Sequence, residues 1–109
     1  MIKRVSLVRR KDGMTHEEFV SHWLGVHADY VRKLPGLRGL RFGVVRSWSP
    51  GAPGWDGIGE IWFDSEVDAH RAFAAEPHRS LLAEDRAKFV SEVQWCFVEE
   101  YAAVQPPQS

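Results

Sequence analysis

Four β-rich segments and two helical regions alternate along the 109-residue chain in an order that few folds accommodate. The β-rich segments are bounded by turns that contain Gly, Pro or Asp, and they cover residues 2–10, 37–46, 58–63 and 92–101. One helix is predicted over 16–34, and a second helical region, broken at Pro77, is predicted over 65–90. The order β-α-β-β-α-β is that of a ferredoxin-like α+β domain, in which both helices cover one face of a four-stranded antiparallel sheet.

The first helix has clear signals at both ends. Thr15 and Glu18 have the spacing of a capping box, and Met14 and Phe19 have that of a hydrophobic staple. Pro35-Gly36 stops the helix.

The predicted strands carry apolar residues at both alternating positions, as strands do when both sheet faces are buried. Two helices cover only one face, so we expect a second copy of the sheet to cover the other in a homodimer. A monomer with an unusually apolar sheet is the alternative. The two alternating sets are Val5 and Leu7 versus Val8 in the first strand; Leu40, Phe42 and Val44 versus Val45 in the second; and Ile61 and Phe63 versus Ile58 and Trp62 in the third.

Composition excludes several classes of protein. The net charge of −1 and the lack of a basic stripe argue against nucleic-acid binding, and no apolar run is long enough to span a membrane. The single Cys96 excludes an internal disulfide and, without a signal peptide, favours the cytoplasm. We expect one domain over 1–101, followed by a flexible tail over 102–109.

His27 is the main candidate for chemistry. On a wheel of about 100° per residue it lies within the apolar stripe of the first helix, together with Val26 and near Trp23 and Tyr30. A partly buried imidazole that titrates near neutrality can act as a general acid or base. The alternative is a core histidine held by a backbone carbonyl.

No metal site or cofactor is expected. On the same wheel His22 falls about 140° from His27, on the polar edge, so the two rings cannot ligate one metal from this helix. The spacing of Cys and His residues does not resemble that of a metal site.

Asp85 is the candidate partner of His27, because a carboxylate among apolar neighbours needs a partner. It could instead accept from a backbone N–H or lie at the rim of its helix. Glu60 enters the same cavity if its strand face meets the helices. Otherwise it lies in the dimer interface and has a structural role there, paired with another group. Candidate substrate-binding residues are Trp23, Phe42, Glu60, Trp62 and His78, with Trp48 of the 47–57 loop as a further aromatic.

The segments KDGMTHEEFVSHWLGVHADYVRKLPGLRGLRF (11–42), DGIGEIWFDS (56–65) and AEDRAKFV (83–90) together resemble the EthD family. The resemblance covers about residues 2–101. It implies a dimeric α+β barrel with a cleft between the helices and the sheet of each subunit, and it favours a pocket role for His27.

The functions implied by this family are heterogeneous. Its name comes from a protein encoded with an ether-degrading cytochrome P450 system, and relatives include a methylmuconolactone isomerase and tailoring proteins of aromatic polyketide and pigment pathways. The isomerase-like members pair a helix histidine with a tyrosine at the start of the second strand. This chain has Leu40 and Phe42 in that region, so Tyr30 is the substitute phenol that we consider.

Three functions follow as hypotheses. The first is a cofactor-independent isomerase, cyclase or dehydratase that acts on a small aromatic, lactone or polyketide-like molecule, with His27, Asp85 and Tyr30 as catalytic residues. The others are a non-catalytic binding or accessory protein and a cofactor-free monooxygenase; a structural dimer without a ligand ranks last. A carboxylate within hydrogen-bond reach of His27, beside an open cleft, favours the enzyme.

Overall fold

The sheet has the predicted topology. In the computed structural model, which describes residues 1–107, β1 (Ile2–Arg10), β2 (Gly39–Val44), β3 (Gly57–Phe63) and β4 (Val90–Val98) pair antiparallel in the order β2-β3-β1-β4. The ferredoxin-like α+β prediction is therefore confirmed. Residues 102–107 form neither helix nor strand, and the last two residues of the predicted tail, 108–109, lie outside the described part.

The first helix begins as its capping box indicates. The first helical region comprises α1 (His16–His22), a π-helical segment (Trp23–His27) and α2 (Ala28–Val31), and the second comprises α3 (Glu66–Ala74) and α4 (His78–Phe89). The capping box is present at the start of α1: Thr15 Oγ1 accepts from the Glu18 N–H at 3.1 Å, and Glu18 Oε1 accepts from the Thr15 N–H at 2.9 Å.

Several element ends differ from the prediction. The first helix ends at Val31 instead of residue 34, because the turn into Pro35-Gly36 begins earlier. Strand β2 is shorter than 37–46. Strand β4 starts at Val90 instead of residue 92 because it follows α4 without a loop. Such terminal shifts are common where propensity alone sets a boundary.

The two faces of the sheet have different surroundings. On β3, the alternate residues Gly57, Gly59, Ile61 and Phe63 are buried under the helices. The intervening residues of the strand point to the opposite face, which no helix covers. The helix-side core is two clusters, one around Phe63 and the other around Phe19.

The π-helical segment rotates the second half of the first helix relative to the first half. A uniform wheel places Val26 in the apolar stripe and Ala28 opposite Phe19. In the structure Val26 is 47% exposed and Ala28 is 1% exposed, so the prediction for Val26 is wrong. The physical reason is that i→i+5 hydrogen bonds put an extra residue into the turn, which a wheel of constant period cannot represent.

Candidate functional site

A cavity of about 450 Å³ lies between the helices and the sheet. Its walls are largely apolar and aromatic, and its polar lining comes from a few side chains. This volume lies within the range of small-molecule sites in proteins, about 300–1,000 Å³. The principal apolar walls are Trp23, Val31, Phe42, Ile61, Leu82 and Phe89, and the polar lining residues are Arg4, Ser6, His27, Arg79 and Arg86.

A buried carboxylate holds two histidine rings at the back of this cavity. Asp85 on α4 is 1% exposed, and its Oδ2 lies 2.8 Å from Nδ1 of His27. Its Oδ1 lies 2.8 Å from Nε2 of His22. The expected partnership between Asp85 and His27 is therefore present in the geometry, and a second imidazole joins it.

The π-helical segment makes this arrangement possible. In a regular α-helix residues five apart face different directions, which is why His22 was expected to lie away from His27. That expectation is wrong, because the segment Trp23–His27 advances by i→i+5 steps and stacks the two rings on one side. Single-turn π segments of this kind occur frequently at functional sites.

The carboxylate also fixes the proton of His27. Because a carboxylate only accepts hydrogen bonds, the Nδ1–H of His27 donates to Asp85, and the lone pair of the neutral ring lies on Nε2. His27 lines the cavity, and its Nε2 has no hydrogen-bond partner among residues 1–107. His27 therefore lines the cavity with an imidazole of defined tautomer whose Nε2 is not engaged by the described residues.

The charge state of His27 depends on opposing influences. Burial lowers the pKa of His27 from its ordinary value of 6.5, and the carboxylate of Asp85 acts in the opposite direction. The nearby Arg86 and His22 groups add to the lowering, and the net result is a lowered pKa of His27. His27 is consequently neutral at pH 7 and can accept a proton.

Trp23 is placed by two glycines of β3. A Cβ added at Gly57 would lie 2.4 Å from the Trp23 ring, and one added at Gly59 would lie 3.7 Å from it. Phe42 contacts the same indole edge to face, with 4.7 Å between ring centroids. Because Gly57 and Gly59 have no side chains, the Trp23 indole packs directly on the backbone of β3, where it forms one wall of the cavity.

Other predicted site residues lie elsewhere. Tyr30 packs against the core cluster around Phe63 and does not line the cavity. Glu60 accepts from Lys3 at 2.5 Å on the sheet face away from the helices, and Trp62 lies on that same face. His78 begins α4 outside the cavity lining. These side chains lie away from His27 for two reasons that the sequence did not determine. One is which residues of each strand face the helices, and the other is which residues of each helix face the cavity.

The aromatic loop also lies outside the cavity. Trp48 Nε1 donates to the backbone carbonyl of Trp55 at 2.7 Å, and the Arg9 guanidinium lies over the Trp55 ring at 4.4 Å. Neither indole is part of the cavity lining, so the suggested role of Trp48 in stacking on a substrate has no support from the geometry.

Sequence reasoning missed three polar residues of the lining, namely Ser6, Arg79 and Arg86. Arg4 and Ser6 occupy the helix-facing positions of β1, where polar residues alternate with the apolar ones of the other face. Arg79 and Arg86 lie seven residues apart on α4, with Leu82 between them. Residues at positions i, i+3 and i+7 lie on one helix face. The spacing of Arg79, Leu82 and Arg86 in the sequence therefore indicates that both arginines share the face of an apolar residue.

The described part of the chain contains neither a metal-ligating cluster nor a helix able to span a membrane. Within residues 1–107, no group of three His, Cys, Asp or Glu side chains converges in a way that could hold a metal ion. None of the helices in that range is long and apolar enough to cross a membrane.

The fold and the cavity together define a class of protein, a ferredoxin-like domain with an apolar pocket between its helices and its sheet. Residues 11–92 match the EthD domain family, and the chain belongs to that family. No curated protein matches the sequence.

Solved structures show the same fold at low identity. An EthD family protein from Bacillus halodurans is 22% identical with a TM-score of 0.76, and the match covers 93% of this chain and 99% of that one. A dimeric ferredoxin-like protein from Thermobifida fusca is 20% identical with a TM-score of 0.69, covering 89% and 88%. A hydroxynitrile lyase from Passiflora edulis is 13% identical with a TM-score of 0.70, covering 95% and 96%.

Proposed function

We propose that this protein is a cofactor-independent enzyme in which His27 transfers a proton on a small aromatic, lactone or polyketide-like substrate. The observation that carries the proposal is the contact between His27 Nδ1 and the buried Asp85, which leaves Nε2 unengaged on a ring that lines a largely apolar cavity. A histidine buried for a purely structural role has its ring nitrogens hydrogen-bonded by the protein or by ordered water.

The chemistry follows from this geometry. Nε2 accepts a proton from a carbon next to a carbonyl group, and the electron pair of the broken C–H bond moves into an enolate. The imidazolium then returns the proton to another atom of the substrate, which gives isomerisation, or to a leaving hydroxyl, which gives dehydration. Asp85 holds the ring in the required tautomer and stabilises the imidazolium that forms.

The apolar walls support such a step in two ways. Trp23, Phe42 and Phe89 offer flat surfaces to an aromatic or conjugated ring. They also exclude water, which strengthens the interaction between the imidazolium and the enolate. The fold of a hydroxynitrile lyase is similar, which shows that a fold of this kind can host a lyase.

Hydrogen–deuterium exchange tests the proposal without knowledge of the product. A panel of small β-dicarbonyl and lactone compounds is incubated with the protein in D₂O, and the loss of the α-C–H signal is followed by NMR. We expect His27→Gln to slow enzyme-dependent exchange by about 10²- to 10⁴-fold, the usual contribution of a general base. The matched control is His70→Gln, since His70 is an exposed histidine of α3 outside the cavity.

The alternative function is non-catalytic binding of a small hydrophobic molecule. The size and apolar lining of the cavity favour it as much as they favour the enzyme. Binding of panel compounds without any exchange, or equal exchange by wild type and His27→Gln, would replace the enzyme proposal with this one.

We also propose a homodimer formed by the uncovered sheet face. Val5, Leu7, Ile58 and Trp62 are only partly buried there, and the similar protein from Thermobifida fusca is dimeric. Light scattering on Ile58→Glu should give a monomer, because a charge replaces an apolar contact. Val67→Glu, on the exposed side of α3, is the control and should leave the dimer intact. A wild-type monomer would overturn this assignment.

A further inference from the structure

The cavity carries an unbalanced positive charge. Arg4, Arg79 and Arg86 all line it, whereas no Asp or Glu of residues 1–107 is among its lining residues. Asp85 lies behind His27 with both carboxylate oxygens engaged by histidine rings. A ligand in the cavity therefore meets guanidinium groups and no competing carboxylate.

Arg4 is the most constrained of the three arginines. Its guanidinium carbon lies 4.5 Å from the ring centroid of Phe73 and 4.6 Å from that of Trp95, so two rings hold it. Within the described residues 1–107 it makes neither an ion pair nor a side-chain hydrogen bond. The position of the group is fixed while its N–H donors are left without protein acceptors.

This lack of a partner distinguishes Arg4 from neighbouring cations of the same strand. Lys3, Arg9 and Arg10 each contact a carboxylate, namely Glu60, Glu92 and Asp56. Burial and the like charge of Arg86 lower the pKa of Arg4 to about 10, which still leaves it charged at neutral pH. A partly buried cation without a counter-ion is costly to keep, and a bound anion removes that cost.

We propose that the ligand of this cavity is an anion, an aromatic or conjugated molecule with a carboxylate group that Arg4 binds. This inference rests on the proposed function, since it names the substrate class of the same cavity. The planar guanidinium fork can donate two parallel hydrogen bonds to a carboxylate.

Ser6 is a second donor on the same side of the strand. It lies two residues from Arg4, so both side chains face the cavity, and its hydroxyl has no hydrogen-bond partner among residues 1–107. Arg79 and Arg86 surround the same space from α4 and add long-range attraction for the anion. The acid group of the ligand is thereby held by β1, while its ring lies among the aromatic walls.

A pair of probes of equal shape tests the inference. 2-Naphthoate and 2-naphthamide differ mainly in charge, and their binding is titrated by the fluorescence of the tryptophans. We expect wild type to bind the carboxylate at least about tenfold more tightly, as a hydrogen-bonded charge pair implies. This preference should shrink when NaCl is raised from about 20 to about 200 mM.

Variants assign the preference to Arg4. Arg4→Gln should reduce it to about twofold or less, whereas Arg38→Gln, which removes an exposed arginine outside the cavity, should leave it unchanged. Arg86→Gln lies on an exposed part of α4 and should reduce the preference partially, which keeps the test informative if Arg4→Gln does not fold. Equal affinity for the two probes, an unchanged preference in Arg4→Gln, or no measurable binding of the carboxylate overturns the inference.

The outcome is separable from that of the proposed function. His27→Gln should retain the preference for the carboxylate, because His27 is not the anion-binding group. Anion preference without proton exchange would leave this inference standing and remove the enzyme. Exchange without anion preference would do the opposite.

Discussion

The pH dependence of stability offers a direct test of the neutral state assigned to His27. Its folded-state pKa is lowered by burial, more than the carboxylate of Asp85 raises it, whereas the ring in the unfolded chain has the ordinary value of 6.5. Below that value the unfolded chain binds a proton that the folded chain does not take up. The contribution of His27 to the free energy of unfolding is therefore fully present above pH 6.5 and is lost as the pH falls towards the folded-state pKa.

The size of the effect is bounded by one proton. A single imidazole that is charged only in the unfolded state changes the free energy of unfolding by at most about 1.4 kcal/mol per pH unit. For a domain of this length, 1 kcal/mol corresponds to roughly 4–8 °C in Tm. The loss should end once the pH is below the folded-state pKa, because both states are then protonated.

The assay is urea unfolding of wild type and His27→Gln between about pH 5 and pH 8 at a fixed protein concentration. Glutamine carries a side-chain donor but does not titrate, so the difference between the two curves reports the loss of the His27 ring. Wild type should lose stability relative to the variant as the pH falls. His70→Gln, at an exposed position, is the control and should run parallel to wild type.

The opposite slope would refute the reasoning. If wild type gains stability relative to His27→Gln on acidification, the charge of Asp85 outweighs burial and the ring is protonated near neutrality. Nε2 would then carry a proton at pH 7, and His27 could serve only as a general acid in the first step.

Three further predictions concern structure. Gly57→Ala should lower the free energy of unfolding by about 1–3 kcal/mol in urea titrations, since its Cβ would overlap the ring of Trp23. Gly25→Ala should raise it by up to about 1 kcal/mol in the same titrations, because the added methyl meets open space and alanine favours helix. Asp56→Ala should lower it by about 1–3 kcal/mol at pH 7 through the orphaned backbone N–H of Arg10. Burial raises the pKa of Asp56, but hydrogen bonds from Arg10 and His16 outweigh it and leave that pKa lowered, so this deficit should shrink in acid unfolding curves as the pH falls below 3.8.

Much of the fold could be predicted because its signals are local. The capping box at Thr15, the break at Pro77 and the β-rich segments each depend on neighbouring residues, and together they fix the order of elements. The partnership of His27 with Asp85 was also within reach, since a buried carboxylate and a buried imidazole both need partners.

The remainder of the site depended on two quantities that the sequence did not determine. One was the phase of the first helix, which placed His22 against Asp85 and turned Val26 outwards. The other was the parity of strands with apolar residues on both sides, which put Arg4 in the cavity and Glu60 on the opposite face. Neither quantity is set by local propensity, because both are decided by packing between distant segments.

The π-helical turn has a consequence for comparing this chain with its relatives. The π-helical segment Trp23–His27 keeps His22 and His27, which are five residues apart, on one side of the helix. In a regular α-helix, side chains on one side are four residues apart. A relative with one residue fewer in this stretch would present the same inward side chains through an uninterrupted α-helix. An ungapped alignment would then pair His27 with a neighbour that faces solvent. Equivalent positions on either side of residues 23–27 should therefore be assigned by superposition, with a one-residue gap allowed within the turn.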